Sequence, residues 1–513
     1  MSDFILAYDL GTSGCKATIY DTEGICIKKN FVSYNTFYSF SKYHEQRPLD
    51  WWESFINSTK NILEENPQFR KTIGAISISG HSLGAVPISK KGELLLNMTP
   101  IWSDTRADKQ AESFFKKVDE DDWYSTTGNS FARECYTVFK ILWYKDNYSE
   151  IFNKTDKIIG TKDFINYKLT GEIFTDYSYA SGSGVYDLLN WKYSEKLIEA
   201  SGLNSKLFPT IMPSTGFVGN LNDEAAKILK LSKNVRVYCG GVDNSCMALG
   251  ARNTGEGRLY TNLGSSAWIA VSSVKPIIDL NTRPFVFTHV IPQMFTSSFG
   301  VFSAGNSLNW VKENICTGIA RKDKEEKKDM FNLMDDLAEN SPVGSNNLIF
   351  NPSLAGGSKA QPSPNIRGAY IGLDLGHNVN DLIRASMEGI ALDLEIMLEK
   401  LEGLCSLNNE VLVVGGGSKS KLWRQIFADV YDKKIIKTNV GQEAAALGAA
   451  AVASVGMGLW KDFSNIDKIH KIEDICEPII TNVKKYKKLL KVFKTARDYV
   501  SKLGDMTLEE LHD

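Results

Sequence analysis

The chain opens with an apolar run over residues 4–10, interrupted only by Asp9, and a second apolar-rich run over residues 16–21. Between them lies Gly11-Thr12-Ser13-Gly14, a cluster of turn-forming residues, so the pattern predicts a β-hairpin and not a strand feeding a helix. Turns are predicted again at Gly24 and Gly92. Residues 50–64 carry apolar positions at helical spacing with Asp50 as the expected N-cap. Residues 73–80, IGAISISG, form a continuous apolar run that predicts a buried strand. The same reading gives a buried strand from residue 235 that meets Gly240-Gly241, after which Asp243 opens a helix. A third strand from residue 411 meets Gly415-Gly416-Gly417, followed by a helix with Ser418 as N-cap. Residues 318–345 read as a charged helix plus surface loop. Residues 483–503 read as a basic amphipathic helix that packs on the second half of the chain with its lysines in water.

The hairpin pattern recurs. LAYDLGTSGCKATIY (6–20) aligns with LYTNLGSSAWIAVSS (259–273) at a constant offset of 253 residues. Leu6, Leu10, Gly11, Ser13 and Ala17 match Leu259, Leu263, Gly264, Ser266 and Ala270. Thr12 meets Ser265, and Asp9 meets Asn262. MALGA (247–251) returns as AALGA (445–449), and such small side chains let helices cross closely. A repeat of about half the chain implies two related α/β domains with a cleft between them. The expected boundaries are 1–250 and 251–513, with a glycine-rich hinge near 250–258.

Composition narrows the class. At 513 residues there is room for two large cores. The formal net charge of −2 gives no electrostatic basis for a nucleic-acid or membrane-surface role. Apolar runs stay below about 18 residues and no signal-peptide pattern opens the chain, so a cytoplasmic protein is expected. The eight cysteines are scattered without a CxxC pair, which suits free thiols in a reducing compartment. The six histidines form no metal-ligand pattern.

Candidate chemistry gathers at the glycine turns. Taken singly, either hairpin tip is a tight turn or a phosphate cradle. Taken as a facing pair, they offer backbone N–H groups and hydroxyls that could clasp a polyphosphate from two sides. Gly415-Gly416-Gly417 could let a nucleotide lie against bare backbone, although it lacks the GxGxxG spacing of a dinucleotide fold. Asp243 is either a helix N-cap or a general base aimed into the cleft. A carboxylate with pKa near ~4 is a weak base, so its positioning would matter more than its basicity. WSDTR offers Trp102 as an apolar platform, with Asp104 and Arg106 to bind sugar hydroxyls or to form a surface ion pair. SGHSLGA brings His81 as a sugar-pocket or structural histidine.

These residues, in this order, resemble the FGGY family of carbohydrate kinases, most closely its xylulokinase branch, over roughly residues 4–500. DLGTSGCKATIYD and NLGSSAWIAVS look like the family's two phosphate motifs, and GGVDN like its catalytic segment. VVGGGSKSKLWRQIFADV is similar to the adenosine segment. GAYIGLDLGHNVNDLIRASMEG fits the C-terminal signature through Gly368, Tyr370, Gly372, Leu373, Asp381, Leu382, Ala385 and Glu388. CYTVFKILWYKDN partly meets the other signature through Thr137, Lys140 and Trp143, with Cys135 and Tyr144 atypical.

The resemblance implies paired actin-like, ribonuclease H-like domains. It also implies transfer of the γ-phosphate of ATP to a terminal hydroxyl of a sugar, with Mg2+. Asp243 is then the base and Asp9 faces the metal. Gly11, Thr12, Ser13, Lys16, Gly264, Ser265 and Ser266 lie near phosphate, and Gly416, Gly417 and Ser418 near the nucleotide. His81, Ser82, Leu83, Trp102, Asp104, Arg106, Asp243 and Asn244 lie around the sugar. The expected partner is a small-molecule sugar, with no nucleic acid and no membrane; a homodimer follows by analogy alone.

Two departures bear on the sugar. Leu83 stands where xylulokinases carry a substrate-side histidine, and residues 351–365 lack the family's acidic, arginine-bearing loop. Phosphotransfer chemistry is therefore expected, with a ketopentose as the leading acceptor. Another sugar, a sugar acid or a polyol is the alternative, and an actin-like ATPase without sugar chemistry is the rival of a different class.

Overall fold

Strands Phe4–Leu10 and Gly14–Asp21 pair antiparallel with Leu10 opposite Cys15, which leaves Gly11–Ser13 as the hairpin tip. The computed structural model describes residues 4–316, 329–358 and 361–511. The chain forms two compact units. The first comprises Met1–Glu256, Ser272–Ser297 and Glu443–His470; the second comprises Gly257–Val271, Ser298–Gln442 and Lys471–Asp513.

The first unit is built on a sheet in the order Phe217–Asn220, Arg236–Tyr238, Ile73–Gly80, Phe4–Leu10, Gly14–Asp21, Cys26–Ser33. Its first three strands in sequence form an antiparallel meander, and Ile73–Gly80 and Arg236–Tyr238 then join in parallel. All eight residues of Ile73–Gly80 are buried, as its unbroken apolar run predicts for a central strand. Helix Pro48–Glu65 covers one face, and its Phe55 ring stacks on Tyr8 at 3.9 Å. This helix starts two residues earlier than expected. Pro48 occupies its first turn, and Asp50 is the acid of that turn and not its cap.

The second unit repeats the scheme. Leu259–Leu263 pairs antiparallel with Ala267–Ser273 and parallel with Glu410–Val414, which pairs parallel with Lys434–Thr438. Asp9 and Asn262 occupy the same penultimate position of their strands. The C-terminal helix runs over Ile480–Leu511, beyond the expected span. It buries Val483, Tyr486, Leu490, Phe493, Arg497 and Ser501, a stripe at three- and four-residue intervals. Met330–Glu339 supplies the helix expected within 318–345; residues 317–328 of that segment lie outside the described residues.

The two small-residue helices meet each other inside the first unit. They are Asp243–Gly250 and Ala444–Gly456. A Cβ on Gly250 would lie 1.8 Å from the Ala444 carbonyl oxygen, and one on Gly448 would lie 2.0 Å from that of Cys246. The repeated LGA segments are thus two sides of one backbone-to-backbone crossing. Overpacking of this kind costs about 1–3 kcal/mol. Gly448→Ala is expected to lower the unfolding free energy by about 2 kcal/mol in a denaturant titration. Gly441→Ala, where nothing lies within 4 Å, should leave it unchanged. Equal midpoints for the two variants would refute the crossing.

Candidate active site

One strand end brings Asp9 and Asp243 together. Asp9 sits opposite Lys16 across the hairpin and opposite Ser79 across the parallel pairing. Ser79 Oγ donates to Asp9 Oδ1 at 3.3 Å. On the other side of Ile73–Gly80, Gly241 lies opposite Ser79 and Val242 opposite Gly80, and Asp243 follows at once. The chain reaches this position through Gly240 at φ +73, where a Cβ would lie 2.0 Å from the Ile78 carbonyl oxygen. Only glycine tolerates both that φ and that approach. Val242 and not Asp243 is the cap residue of the helix; Asp243 Oδ1 accepts from the Asn244 N–H at 2.8 Å.

Burial, and next the charge of Asp9, push the Asp243 carboxyl up to about 7. Burial also raises Asp9, offset in part by Lys16 and Ser79. An acid raised by burial and by a neighbouring carboxylate is a feature of sites that move protons or hold cations. Among the described residues, no three His, Cys, Asp or Glu side chains form a metal cage. Magnesium commonly takes one or two carboxylates and fills its shell with water and phosphate oxygens, so Asp9 as a lone carboxylate fits that ion.

The hairpin tip is tied to the WSDTR segment. Trp102 Nε1 donates to Thr12 Oγ1 at 3.0 Å. Gln46 Nε2 donates to the Thr12 carbonyl at 2.7 Å, and Trp51 Nε1 fixes Gln46 from behind at 2.8 Å. Tyr34 OH donates to the Gly11 carbonyl. Ser13 is exposed and Lys16 half-buried.

Asp104 and Arg106 are buried and form an ion pair, with Arg106 Nη2 at 2.7 Å from Asp104 Oδ2 and 2.8 Å from Glu45 Oε1. The His44 N–H also donates to Asp104 at 2.8 Å, and the Arg106 guanidinium lies over Tyr43. The pair, expected at the sugar or as a surface ion pair, is buried and not on the surface. His81 is buried beside Trp51, with Nδ1 3.2 Å from Thr161 Oγ1, and burial brings its imidazole down to about 4. Leu83 is 3% exposed, adopts φ +60 and packs in the core, while Ser82 and Asn244 keep partial exposure.

In the second unit the two glycine motifs adjoin. A Cβ on Gly415 would lie 2.6 Å from the Leu263 carbonyl oxygen, and one on Gly417 would lie 2.8 Å from the Leu263 side chain. The tip residues Gly264 and Ser265 accept backbone N–H bonds from Ala304, Gly305 and Asn306, at the start of helix Gly305–Asn314. Ser265 is exposed, and Gly264, Ser266, Gly416 and Gly417 are half-buried. Ser418 is buried and donates its hydroxyl to the Gly415 carbonyl at 2.7 Å. The helix begins at Lys421, and its cap is Ser420, which accepts from the Trp423 N–H; the one-turn Gly416–Lys419 segment displaces the cap by two residues.

Sequence reasoning missed Tyr34, Gln46, Ser79 and Gly305. Ser79, at the end of the ISISG strand, had a usable signal; the others are distant in sequence from what they touch. The signature acids are structural. Asp381 joins Asn378 in a capping box, and Glu388 accepts from the Gly344 N–H, Ser345, Arg384 and Tyr486. In the 351–365 loop, Gln361 reaches Asp393 at 2.9 Å, and residues 359 and 360 lie outside the described residues.

Comparison with known proteins follows this geometry. The N-terminal domain model of the FGGY family of carbohydrate kinases matches residues 4–250 and the C-terminal domain model matches residues 259–457. A xylulose kinase of Staphylococcus xylosus is 29% identical over 498 residues, covering 96% of this chain and 100% of that protein. A gluconokinase of Bacillus licheniformis is 24% identical, covering 96% and 95%. The crystal structure of a ligand-bound xylulose kinase from Lactobacillus acidophilus superposes with a TM-score of 0.88 at 24% identity, covering 97% and 98%. The fold is therefore the paired actin-like, ribonuclease H-like arrangement of this family, and no helix among the described residues is long and apolar enough to cross a membrane.

The carboxyl pair has a direct signature. In metal-free protein the Asp243 carboxyl is expected to titrate near pH 7, followed by 13C NMR of labelled aspartates and assigned with Asp243→Asn. Asp9→Asn removes a neighbouring negative charge and should move that midpoint down. A midpoint that stays near 7 in Asp9→Asn would show that the two acids do not interact.

Proposed function

Because the chain belongs to the FGGY family of carbohydrate kinases, we propose that its acceptor is a ketopentose-like sugar and that Asp243 is the general base. The carrying observation is the delivery of Asp9 and Asp243 to the same end of Ile73–Gly80. In this reading Asp243 takes the proton of the terminal hydroxyl as its oxygen attacks the γ-phosphorus of ATP. The bond to the bridging oxygen breaks and ADP leaves. The raised carboxyl pKa makes Asp243 a better base than an ordinary aspartate, since proton transfer is most efficient when pKa approaches the working pH. Asp9 would hold magnesium, which would supply neutralisation of phosphate charge. The hydroxyls and N–H groups at Thr12–Ser13 and at Ser265–Ser266 bind phosphate oxygens, and Gly416–Gly417 border the nucleotide.

The indole face of Trp102 carries the apolar side of the sugar, and Ser82 and Asn244 supply polar contacts. Asp104 and Arg106 act one layer behind, holding the segment that bears Trp102. The ketopentose reading is supported by similarity to the Staphylococcus xylosus xylulose kinase over nearly the whole chain. Leu83 keeps a sugar acid or polyol as the second reading. Its side chain turns into the core, so this loop position offers no polar group for a hydroxyl. A cytoplasmic setting suits eight cysteines of which none forms a disulfide.

A coupled assay of ADP release with ketopentoses, gluconate and polyols is expected to give saturable turnover with a ketopentose; saturation only with gluconate or a polyol would move the assignment to that class. Asp243→Ala is expected to lower kcat by about 10³-fold while ATP still binds, within the usual range for losing a general base. Turnover within tenfold of wild type would remove Asp243 from that role. Asp9→Asn should raise the magnesium concentration needed for half-maximal rate and leave the sugar KM within twofold.

A further inference from the structure

Helix Thr137–Asn147 grips one loop through three consecutive carbonyls. Lys140 Nζ donates to Leu83 O at 2.8 Å, Thr137 Oγ1 to Gly84 O at 3.3 Å and Tyr144 OH to Ala85 O at 2.9 Å. Positions 137, 140 and 144 lie on one helical face, so one rigid element reads the loop in register. The loop needs such support, because Leu83 sits at φ +60, a conformation that non-glycine residues hold only when their surroundings fix it.

Lys140 does one thing more. Its ammonium also donates to Ile101 O at 2.7 Å, bridging the Leu83 loop to the segment that begins at Trp102. The side chain is fully buried, and among the described residues no carboxylate lies within 4.0 Å of its nitrogen. Asp104, the nearby acid, is engaged with Arg106. A buried cation whose named acceptors are two neutral carbonyls fixes a distance between them and does not pair charges. Burial lowers its pKa to about 8, and such a group is retained at a cost that an aliphatic residue would avoid.

We propose that Lys140 is a positioning residue for the acceptor sugar: by tying Leu83 O to Ile101 O, it holds Trp102 against the Thr12 hydroxyl of the phosphate hairpin. The relay runs from Lys140 through Ile101 to Trp102 Nε1, and on to Thr12 Oγ1. Sugar platform and phosphate turn are thereby set by one buried ammonium. The inference rests on the kinase reading above for its substrate and on the hydrogen bonds alone for its geometry.

Two measurements test it. Indole N–H exchange in 15N-tryptophan-labelled protein, with Trp102 assigned through Trp102→Phe, needs no substrate. Lys140→Met is expected to speed exchange at Trp102 at least tenfold and to leave Trp51, bonded to Gln46, unchanged. In steady-state kinetics the same variant should raise the sugar KM about tenfold with the ATP KM within twofold, and adding Trp102→Phe should raise the sugar KM by less than twofold more. Unchanged exchange at Trp102, a parallel rise of both KM values, or multiplicative effects in the double variant would each overturn the relay. Should Lys140→Met not fold, Lys140→Arg keeps the charge and displaces the donors, with the same outcomes expected. If the wild type phosphorylates no sugar, the acceptor reading fails, and the exchange measurement still decides the clamp.

Discussion

The structure of the first unit turns on one close approach, the passage of Gly240 over the carbonyl of Ile78. That contact lets the chain add Gly241–Val242 beside Ile73–Gly80 and start a helix at Asp243 within the field of Asp9. A side chain at 240 would push the strand away and separate the two acids. The arrangement carries a cost. For an acid whose folded pKa is raised, ionisation is less favourable in the native state than in the unfolded chain. Asp243 therefore contributes a stability penalty that grows as pH rises from about 4 to about 7 and is complete above that. Fold stability alone would favour a neutral residue here, so packing does not account for the acid at position 243.

The second unit shows what the same scaffold does without that demand. Its hairpin is shorter, with Leu263 opposite Ala267 where Leu10 faces Cys15, and Asn262 takes the position of Asp9. Instead of facing a second acid, that strand end meets the Gly415–Gly417 turn, whose backbone comes within reach of the Asn262 amide. Duplication thus supplied two related strand-and-turn frames. The difference between carboxylate and amide at one position gives one frame the charge and leaves the other a neutral, glycine-lined surface.

Much of this was legible because it is local. A turn of Gly, Thr, Ser and Gly between apolar runs can hardly be other than a hairpin, and its recurrence after 253 residues exposed the duplication. The candidate base was legible from its place after two glycines. What escaped reading depends on partners far along the chain. Gln46 and Tyr34 hold the first hairpin through hydrogen bonds spanning more than twenty residues, and nothing in their own surroundings marks them. Asp104 and Arg106 read as binders of sugar hydroxyls or as a surface ion pair; their burial was not legible, because it depends on Glu45, Tyr43 and the His44 amide. Glu388 is the reverse case. Its pattern was recognisable, and four donors from three separate segments show that it ties the fold together.

Both units solve one further problem in the same way. A loop shaped for a ligand has carbonyls that no sheet or helix satisfies, and left alone it would shift among conformations. In the first unit Lys140 takes two such carbonyls. In the second, Arg424 donates to Ser418 O at 2.5 Å and to Lys419 O at 3.2 Å, and anchors its other nitrogen on Asp474. The choice of cation follows from the loop. Two carbonyls from separate segments converge on a point, which suits an ammonium at the end of a flexible stem. Neighbouring carbonyls of one turn, together with an acid beyond them, suit a planar guanidinium. Loop rigidity here comes from single long donors that reach the turn from a helix.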